Sequence, residues 1–443
     1  MNDTLVPSST PARTLTRRVL TSVVSNAFAP IAGFAVTPVL AHALGVDGRG
    51  AVAAATAPLF LAMSVATIGV PGAVTWSIAK NPAALRRVLG PGMLLVTGAG
   101  LLATALLTVC SGWLGAGSGS LAGLVTMASL ALVPNLLAGV LCAAAAGLHA
   151  WSAVARERAL TNGLRLAGIA ILAALGELTP TSAVIVIASA PVIGALSYLP
   201  LVIRRRAVDI PTEDHVGAGA LVSYGLRMWA GSLSGVVLSR LDQTVMAPLG
   251  GVDELGLYAV AVSVAGLVAI VNLAVREVMF SADAANDDIE SLARSARLST
   301  AATAAGAVVV GATASWTVPL LFGAEFTTAV PATLLLLAAA VLGNSGSVAG
   351  ISLAARGRPG LRSASLAVAS VVNVAAVILL VPHLGAVGAA AATLIGNTIS
   401  GWGCVYLLHR ITGVPARSFV GLRLREDLTA ITTLIRSRKG TTR

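Results

Sequence analysis

The sequence predicts an all-α polytopic membrane protein, with about 12 transmembrane helices in two six-helix bundles related by pseudo-twofold symmetry. Three observations carry that prediction. Of 443 residues, 56% are hydrophobic and only 11% charged, against about 25% charged in an ordinary soluble domain. The apolar runs between charges and Pro/Gly clusters reach about 20 residues, enough to cross about 30 Å of hydrocarbon as helix. Basic residues recur in every second gap between these runs.

In chain order the expected spans are Arg18 to Ala43, Ala51 to Ala79, Val88 to Leu114, Leu121 to Gly147, Ala159 to Gly176 and Thr181 to Ile203. The second set is Ala220 to Gly250, Leu255 to Val275, Leu292 to Phe322, Thr327 to Ala355, Leu361 to Val381 and Val387 to Leu408. This divides the chain into an N-terminal tail (1–17), a first bundle (18–203), a linker (204–219), a second bundle (220–408) and a basic tail (409–443). Strands of a membrane barrel would instead alternate polarity over about ten residues, a pattern not found here.

Charge placement orients the spans, because Lys and Arg concentrate in cytoplasmic loops. All of the 29 Lys and Arg fall on the side of the N-terminus except Arg49, Arg165, Arg227 and Arg240. The opposite side carries Asp47, Glu177, Asp253, Glu254 and Glu325. Both termini are therefore expected in the cytoplasm. The net charge of +11 is spread over short loops, which points to anionic membrane lipids and away from nucleic acid. The first apolar run is longer than the core of a signal peptide and is expected to stay attached. In the tail, Leu424, Leu428, Ile431 and Ile435 fall at helical spacing among arginines, as in a helix lying on a membrane surface.

The loops are too short for a soluble domain, and nucleotide-binding, zinc-protease and serine-hydrolase motifs are missing. Cys110, Cys142 and Cys404 all lie in spans, so the sequence calls for no disulfide framework, metal or other cofactor. Asp283, Asp287, Asp288 and Glu290 lack the ladder of a calcium loop and read as a helix start. An enzyme is not expected.

Gly45-Val46-Asp47-Gly48-Arg49-Gly50 is echoed by Gly251-Val252-Asp253-Glu254-Leu255-Gly256, and the same offset brings Arg156 onto Arg362. Repeats holding an even number of spans share one orientation, and two such bundles can rock about a central cavity. Transport is the function that architecture predicts.

The segments Leu44 to Gly50, Ile68-Gly69-Val70-Pro71-Gly72-Ala73, Ser239-Arg240-Leu241-Asp242-Gln243 and Gly256 to Ala261 carry a resemblance that continues through Leu321 to Phe326 and Val381 to Thr393. Together they resemble the multidrug/oligosaccharidyl-lipid/polysaccharide (MOP) exporter superfamily, most closely its polysaccharide flippases of the O-antigen and exopolysaccharide type. The resemblance implies a MATE-like fold in a bacterial cell membrane. It also implies a flippase that moves a polyprenyl-pyrophosphate-linked oligosaccharide to the outer leaflet by alternating access, alongside polysaccharide-assembly proteins.

Polar groups within spans are the place to seek the cargo site, since intramembrane charge is costly and lines wet cavities. On the seventh span Ser232, Gly235, Ser239 and Asp242 form a polar stripe with Gln243 at its edge. Arg240 stands about 200° around the helix from Asp242, so the two serve different neighbours. Arg240 matches a pyrophosphate, and Asp242 a coupling proton or cation; for each, pairing with an adjacent helix is the competing role. Arg165, Arg227 and Asn26 are further cavity candidates, Asn26 within a stripe of Ser22, Gly33 and Thr37. Pro30, Pro38, Pro58 and Pro71 are candidate hinges.

A cation-coupled multidrug antiporter of the same superfamily is the alternative. It would call for acids in the cavity, whereas Asp242 is outnumbered there by arginines. A membrane glycosyltransferase or polysaccharide polymerase would need a large catalytic loop, which the sequence does not provide.

Overall fold

A straight helix of 55 residues would measure about 80 Å, far more than the hydrocarbon it crosses. In the computed structural model the two longest helices each break at one glycine. The structure describes residues 12–201, 218–283 and 289–419, with side chains of 12–32, 218–224, 227, 228, 230–232, 269–291, 354 and 355 left aside. The linker's arginines, Asp287, Asp288 and the tail residues Leu424 to Ile435 fall outside the described residues.

Helix α1 (Ala12–Ala66) departs from helical geometry at Gly45, where φ is 67°. A left-handed φ of this kind suits glycine because it lacks a Cβ. The expected loop from Gly45 to Gly50 shrinks to that residue, and helix resumes at once. The second expected span then breaks again. After Ala66, Ile68 and Gly69 take φ values of 45° and 70° before α2 (Val70–Lys80), which carries Pro71 in its first turn.

The third span is α3 (Leu85–Leu114). The fourth divides at Ala131 into α4 (Gly119–Leu130) and α5 (Leu132–Gly147). The fifth, α6 (Trp151–Ala174), starts two turns before the expected Ala159. Arg156, Glu157 and Arg158 end the apolar run but are good helix formers. α7 (Pro180–Ala195) opens on a capping box, in which Ser182 N–H donates to Thr179 Oγ1 and Thr179 N–H to Ser182 Oγ. That exchange satisfies two donors a helix start otherwise leaves unpaired.

The second set comprises α8 (Ala218–Gly250), α9 (Val252–Asp283), α10 (Ile289–Phe322), α11 (Val330–Ala355) and α12 (Pro359–Thr412). α12 breaks at Gly385, φ 53°. Residues on its two arms meet: Ser365 Oγ donates to Ser400 O at 3.2 Å, and a Cβ at Gly396 would lie 2.9 Å from that of Asn373. The eleventh and twelfth spans therefore form one antiparallel hairpin. Among the described residues seven helical segments are long and apolar enough to cross a membrane. One of them is the doubled-back α12.

Two apolar clusters dominate the interior. One gathers Leu40, Leu59, Val74, Leu132 and Ile169 from α1 to α7. The other gathers Met246, Tyr258, Phe322, Phe326 and Ala389 from α8 to α12, and draws in Ala53 and Ala54 of α1. Helix α1 thereby joins the two helix groups.

Candidate functional site

Three contacts between the two helix groups mark successive levels of the seam. At the end carrying the acids, a Cβ on Gly50 would collide with the carbonyl of Val252, and one on Gly256 with the carbonyl of Val46. At the basic end, a Cβ on Gly69 would collide with the carbonyl of Gly225, and Gly225 also faces Ile68 O. Between these contacts the Arg240 guanidinium lies over the Phe60 ring, 6.0 Å from its centroid. By helical rise Arg240 stands roughly 18–22 Å from the two contacts, Val252 and Gly225. A cation is thus held midway along the seam, by attraction to an aromatic face and without a carboxylate partner among the described residues.

Asp242 turns the other way. It is 3% exposed and buried within the second helix group. Tyr258 O–H of α9 donates to its Oδ2, Thr393 Oγ1 of α12 donates to the same oxygen at 3.2 Å, and Gln243 N–H donates to Oδ1 at 2.7 Å. Tyr258 and Thr393 hydroxyls are themselves 3.0 Å apart. Three helices thus converge on one carboxylate. One turn along α12, Gly396 packs on Asn373. The Asn373 side chain is fully buried, and neither its Nδ2 nor its Oδ1 has a hydrogen-bond partner among the described residues. A buried unpaired amide is costly in apolar surroundings and is equipped to meet a ligand or ion.

The structure separates the remaining candidates. Ser239 is exposed and donates to Val236 O; it lines a cavity walled by helices of the second group. Gln243 is half-buried at the edge of the Asp242 cluster. Arg165, on α6, is half-buried with Nε unpartnered. The side chains of Arg227, Asn26 and Pro30 lie outside the described residues. Pro38 and Pro58 sit in uninterrupted stretches of α1, whereas Pro71 directly follows the break at Thr67 to Gly69. Thr37 of the first-span stripe reaches Ser263 Oγ of α9 at 3.5 Å.

Sequence reasoning missed Phe60, Tyr258, Thr393 and Asn373 as partners of the site. Tyr258 and Thr393 lie in quoted motifs, Gly256 to Ala261 and Val381 to Thr393. Asn373 could have been marked as an amide deep in an apolar run. It also missed Glu157, whose Oε1 accepts from Thr161 at 2.8 Å and Oε2 from Tyr198 at 3.3 Å.

The family model described as polysaccharide biosynthesis protein matches residues 15–280. Among solved structures the chain is similar to a lipid II flippase, MurJ, in an inward closed conformation, at 15% identity with a TM-score of 0.73, covering 93% of this chain and 91% of that one. It is also similar to an inward-facing MATE family multidrug resistance transporter of the MOP superfamily, at 15% identity and a TM-score of 0.66, covering 87% and 95%. A third likeness is to the MATE multidrug transporter DinF-BH, at 16% identity and a TM-score of 0.59, covering 94% and 98%. No curated protein matches by sequence. A family match over more than half of the chain makes this chain a member of the polysaccharide biosynthesis protein family, on a fold similar to those of these flippase and MATE structures.

Proposed function

We propose that the protein flips a polyprenyl-pyrophosphate-linked oligosaccharide from the cytoplasmic to the outer leaflet of a bacterial cell membrane. The observation that carries this reading is the placement of Arg240 midway along the seam, with Asp242 withdrawn from it. A seam that keeps its cation and buries its acid elsewhere favours an anionic cargo. Guanidinium matches phosphate oxygens with paired hydrogen bonds, and Phe60 holds it ready. The basic ends of the helices are the cytoplasmic ends in this reading, so the seam closes towards the cytoplasm at Gly69 and Gly225 and towards the outside at Gly50 and Gly256. Rocking about these contacts would expose Arg240 to each side in turn.

The Asp242 cluster supports a coupling role beside that cargo site. A cation in place of the Tyr258 proton contact would find the Asp242 carboxylate and Thr393 oxygen, with Asn373 Oδ1 a turn away. That same cluster is what favours the second reading, a cation-coupled multidrug antiporter. The two readings separate on cargo. In liposomes holding the purified protein, a labelled polyprenyl-pyrophosphate oligosaccharide should become accessible to an impermeant probe, and Arg240→Ala should abolish the effect. Efflux of a cationic dye driven by an ion gradient, with no movement of any lipid-linked sugar, would establish the antiporter instead.

A further inference from the structure

A cavity of about 320 Å3 lies inside the second helix group, walled by α8, α10, α11 and α12. Ser239, Thr303, Asn344, Arg362, Asn397 and Ser400 bring polar atoms to it. Among the described residues no carboxylate lines it. A polar hollow among apolar helices is expensive unless water or a ligand fills it.

The hydrogen bonds show what such a ligand must offer. Ser239 spends its proton on Val236 O, Ser400 on Asn397 O and Thr303 on Ser299 O. These hydroxyls therefore present lone pairs to the cavity. Asn344 gives its amide protons to Ser299 and Thr300 at 2.8 and 2.9 Å. The Asn397 amide and the Arg362 guanidinium make no hydrogen bond among the described residues, so their donors remain for an occupant. The occupant must then supply hydroxyl protons, accept from an amide and carry negative charge. A sugar bearing a phosphate meets all three demands, whereas a cation meets only the hydroxyl lone pairs and is repelled by Arg362.

The walls are set in advance. Gly346 of α11 packs backbone to backbone on Gly401 of α12, and Ser365 ties the two arms of α12 together beside Arg362. The volume falls at the small end of ligand pockets, roughly 300–1,000 Å3, which suits one sugar phosphate.

We propose that this cavity binds a phosphorylated sugar, with Arg362 on the phosphate and Asn397, Ser239 and Ser400 on the hydroxyls. The flippase reading bears on this only as the source of the ligand, a lipid-linked glycan as opposed to a free sugar phosphate. The test is calorimetry on the full chain in phosphatidylcholine nanodiscs, titrated with glucose 1-phosphate, glycerol 3-phosphate, inorganic phosphate and glucose. Glucose 1-phosphate should bind about tenfold tighter than each of the others, a difference of about 1.4 kcal/mol. Arg362→Ala should remove that binding, Asn397→Ala should weaken it about tenfold, and Arg158→Ala, on α6 and outside the cavity, should leave it unchanged.

Equal binding of glycerol 3-phosphate would overturn the sugar assignment in favour of a lipid-headgroup site. Absence of heat with glucose 1-phosphate would overturn the site altogether. If Arg362→Ala does not fold, the milder Asn397→Ala and Ser400→Ala decide, and full affinity in both counts against the proposal. Binding that survives Arg240→Ala while flipping does not would show that the cavity stands independently of the seam. The source is read by adding a lipid-linked oligosaccharide to the nanodisc. Competition with glucose 1-phosphate assigns the cavity to the transported cargo, and its absence to a free sugar phosphate.

Discussion

Gly50 and Gly256 occupy equivalent places in the two sequence repeats and pack reciprocally. Each leaves no room for a Cβ because the carbonyl of the other repeat, Val252 for Gly50 and Val46 for Gly256, presses on it. A reciprocal contact of this kind is what a twofold axis produces, and it places that pseudo-axis through the acidic end of the molecule. Either glycine replaced by alanine must force the backbones apart, at about 1–3 kcal/mol for overpacking. Gly50→Ala and Gly256→Ala should each lower the melting temperature and raise maleimide labelling of a cysteine at Val46. Unchanged labelling in both would mean that the contact does not hold this end shut.

The same equivalence brings Asp47 and Asp253 together. The Asp253 carboxyl is pushed up from its usual 3.8 first by a hydrogen bond with Asp47, then by burial and by the negative charge of Asp47 and Glu254. An acid raised in the closed form stabilises that form while protonated, and the contribution is lost as pH rises through the raised value. Closure at the acidic end should therefore tighten on acidification and loosen towards neutral pH. Arg49 and Glu325 belong to the same end, but Glu325 faces Gly45 and Glu254 is engaged with Ala386. Asp253→Asn should hold the contact at neutral pH and flatten the pH dependence of Val46 labelling. A wild-type profile in that variant would remove the acid pair from the explanation.

Parts of this site were legible in the sequence and parts were not, for physical reasons. The repeat at Gly45 and Gly251 and the divergence of Arg240 from Asp242 follow from spacing alone, since a helix turns by a fixed angle per residue. Tyr258, Thr393 and Asn373 reach the site from α9 and α12. Both lipid-facing and buried faces of such helices are apolar, so periodicity does not mark which side meets Asp242. Pro71 hinted at a bend, but the break itself lies at Ile68 and Gly69, where one positive φ belongs to a β-branched residue that sequence rules place elsewhere.

Removing the Tyr258 hydroxyl tests the Asp242 cluster. Tyr258→Phe leaves a buried carboxylate with only Thr393 and the Gln243 amide, at a cost of about 1–3 kcal/mol. If a cation occupies the cluster, sodium or protons should stabilise the wild type in thermal melts. Asp242→Asn should abolish that stabilisation, and Asn373→Ala should reduce it. Equal melting shifts in all three proteins would leave the cluster a purely structural knot.

Glu254 caps the second arm of α12. Its Oε2 accepts from Ala386 N–H at 2.6 Å, the first amide after the Gly385 reversal. Its carboxylate also fills the space a Cβ at Gly385 would need. Loss of a capping side chain costs about 0.5–2 kcal/mol. Glu254→Ala should lower the melting temperature accordingly, Glu254→Gln by less, and Gly385→Ala by more than either, because it combines strain at positive φ with a clash. A Gly385→Ala protein as stable as wild type would contradict the hairpin geometry.

Gly69 and Gly225 form the contact at the basic end, and it differs from the other in being strained. Ile68 at φ 45° holds an unfavourable backbone conformation, worth about 1–3 kcal/mol, and Gly69 follows with φ 70°. If opening releases that strain, it sets a cost on holding this end closed. A bulky residue at Gly225 cannot sit against the Ile68 and Gly69 carbonyl groups, so Gly225→Val should hold the basic end open. Replacing Ile68 by glycine removes the strain and should favour the closed form. In cross-linking between cysteines placed at Thr67 and Leu226, Gly225→Val should lower the yield and Ile68→Gly should raise it. Flipping should fall in both, since a transporter arrested in either state cannot cycle. Full activity in Gly225→Val would show that this contact opens and closes without bearing on transport.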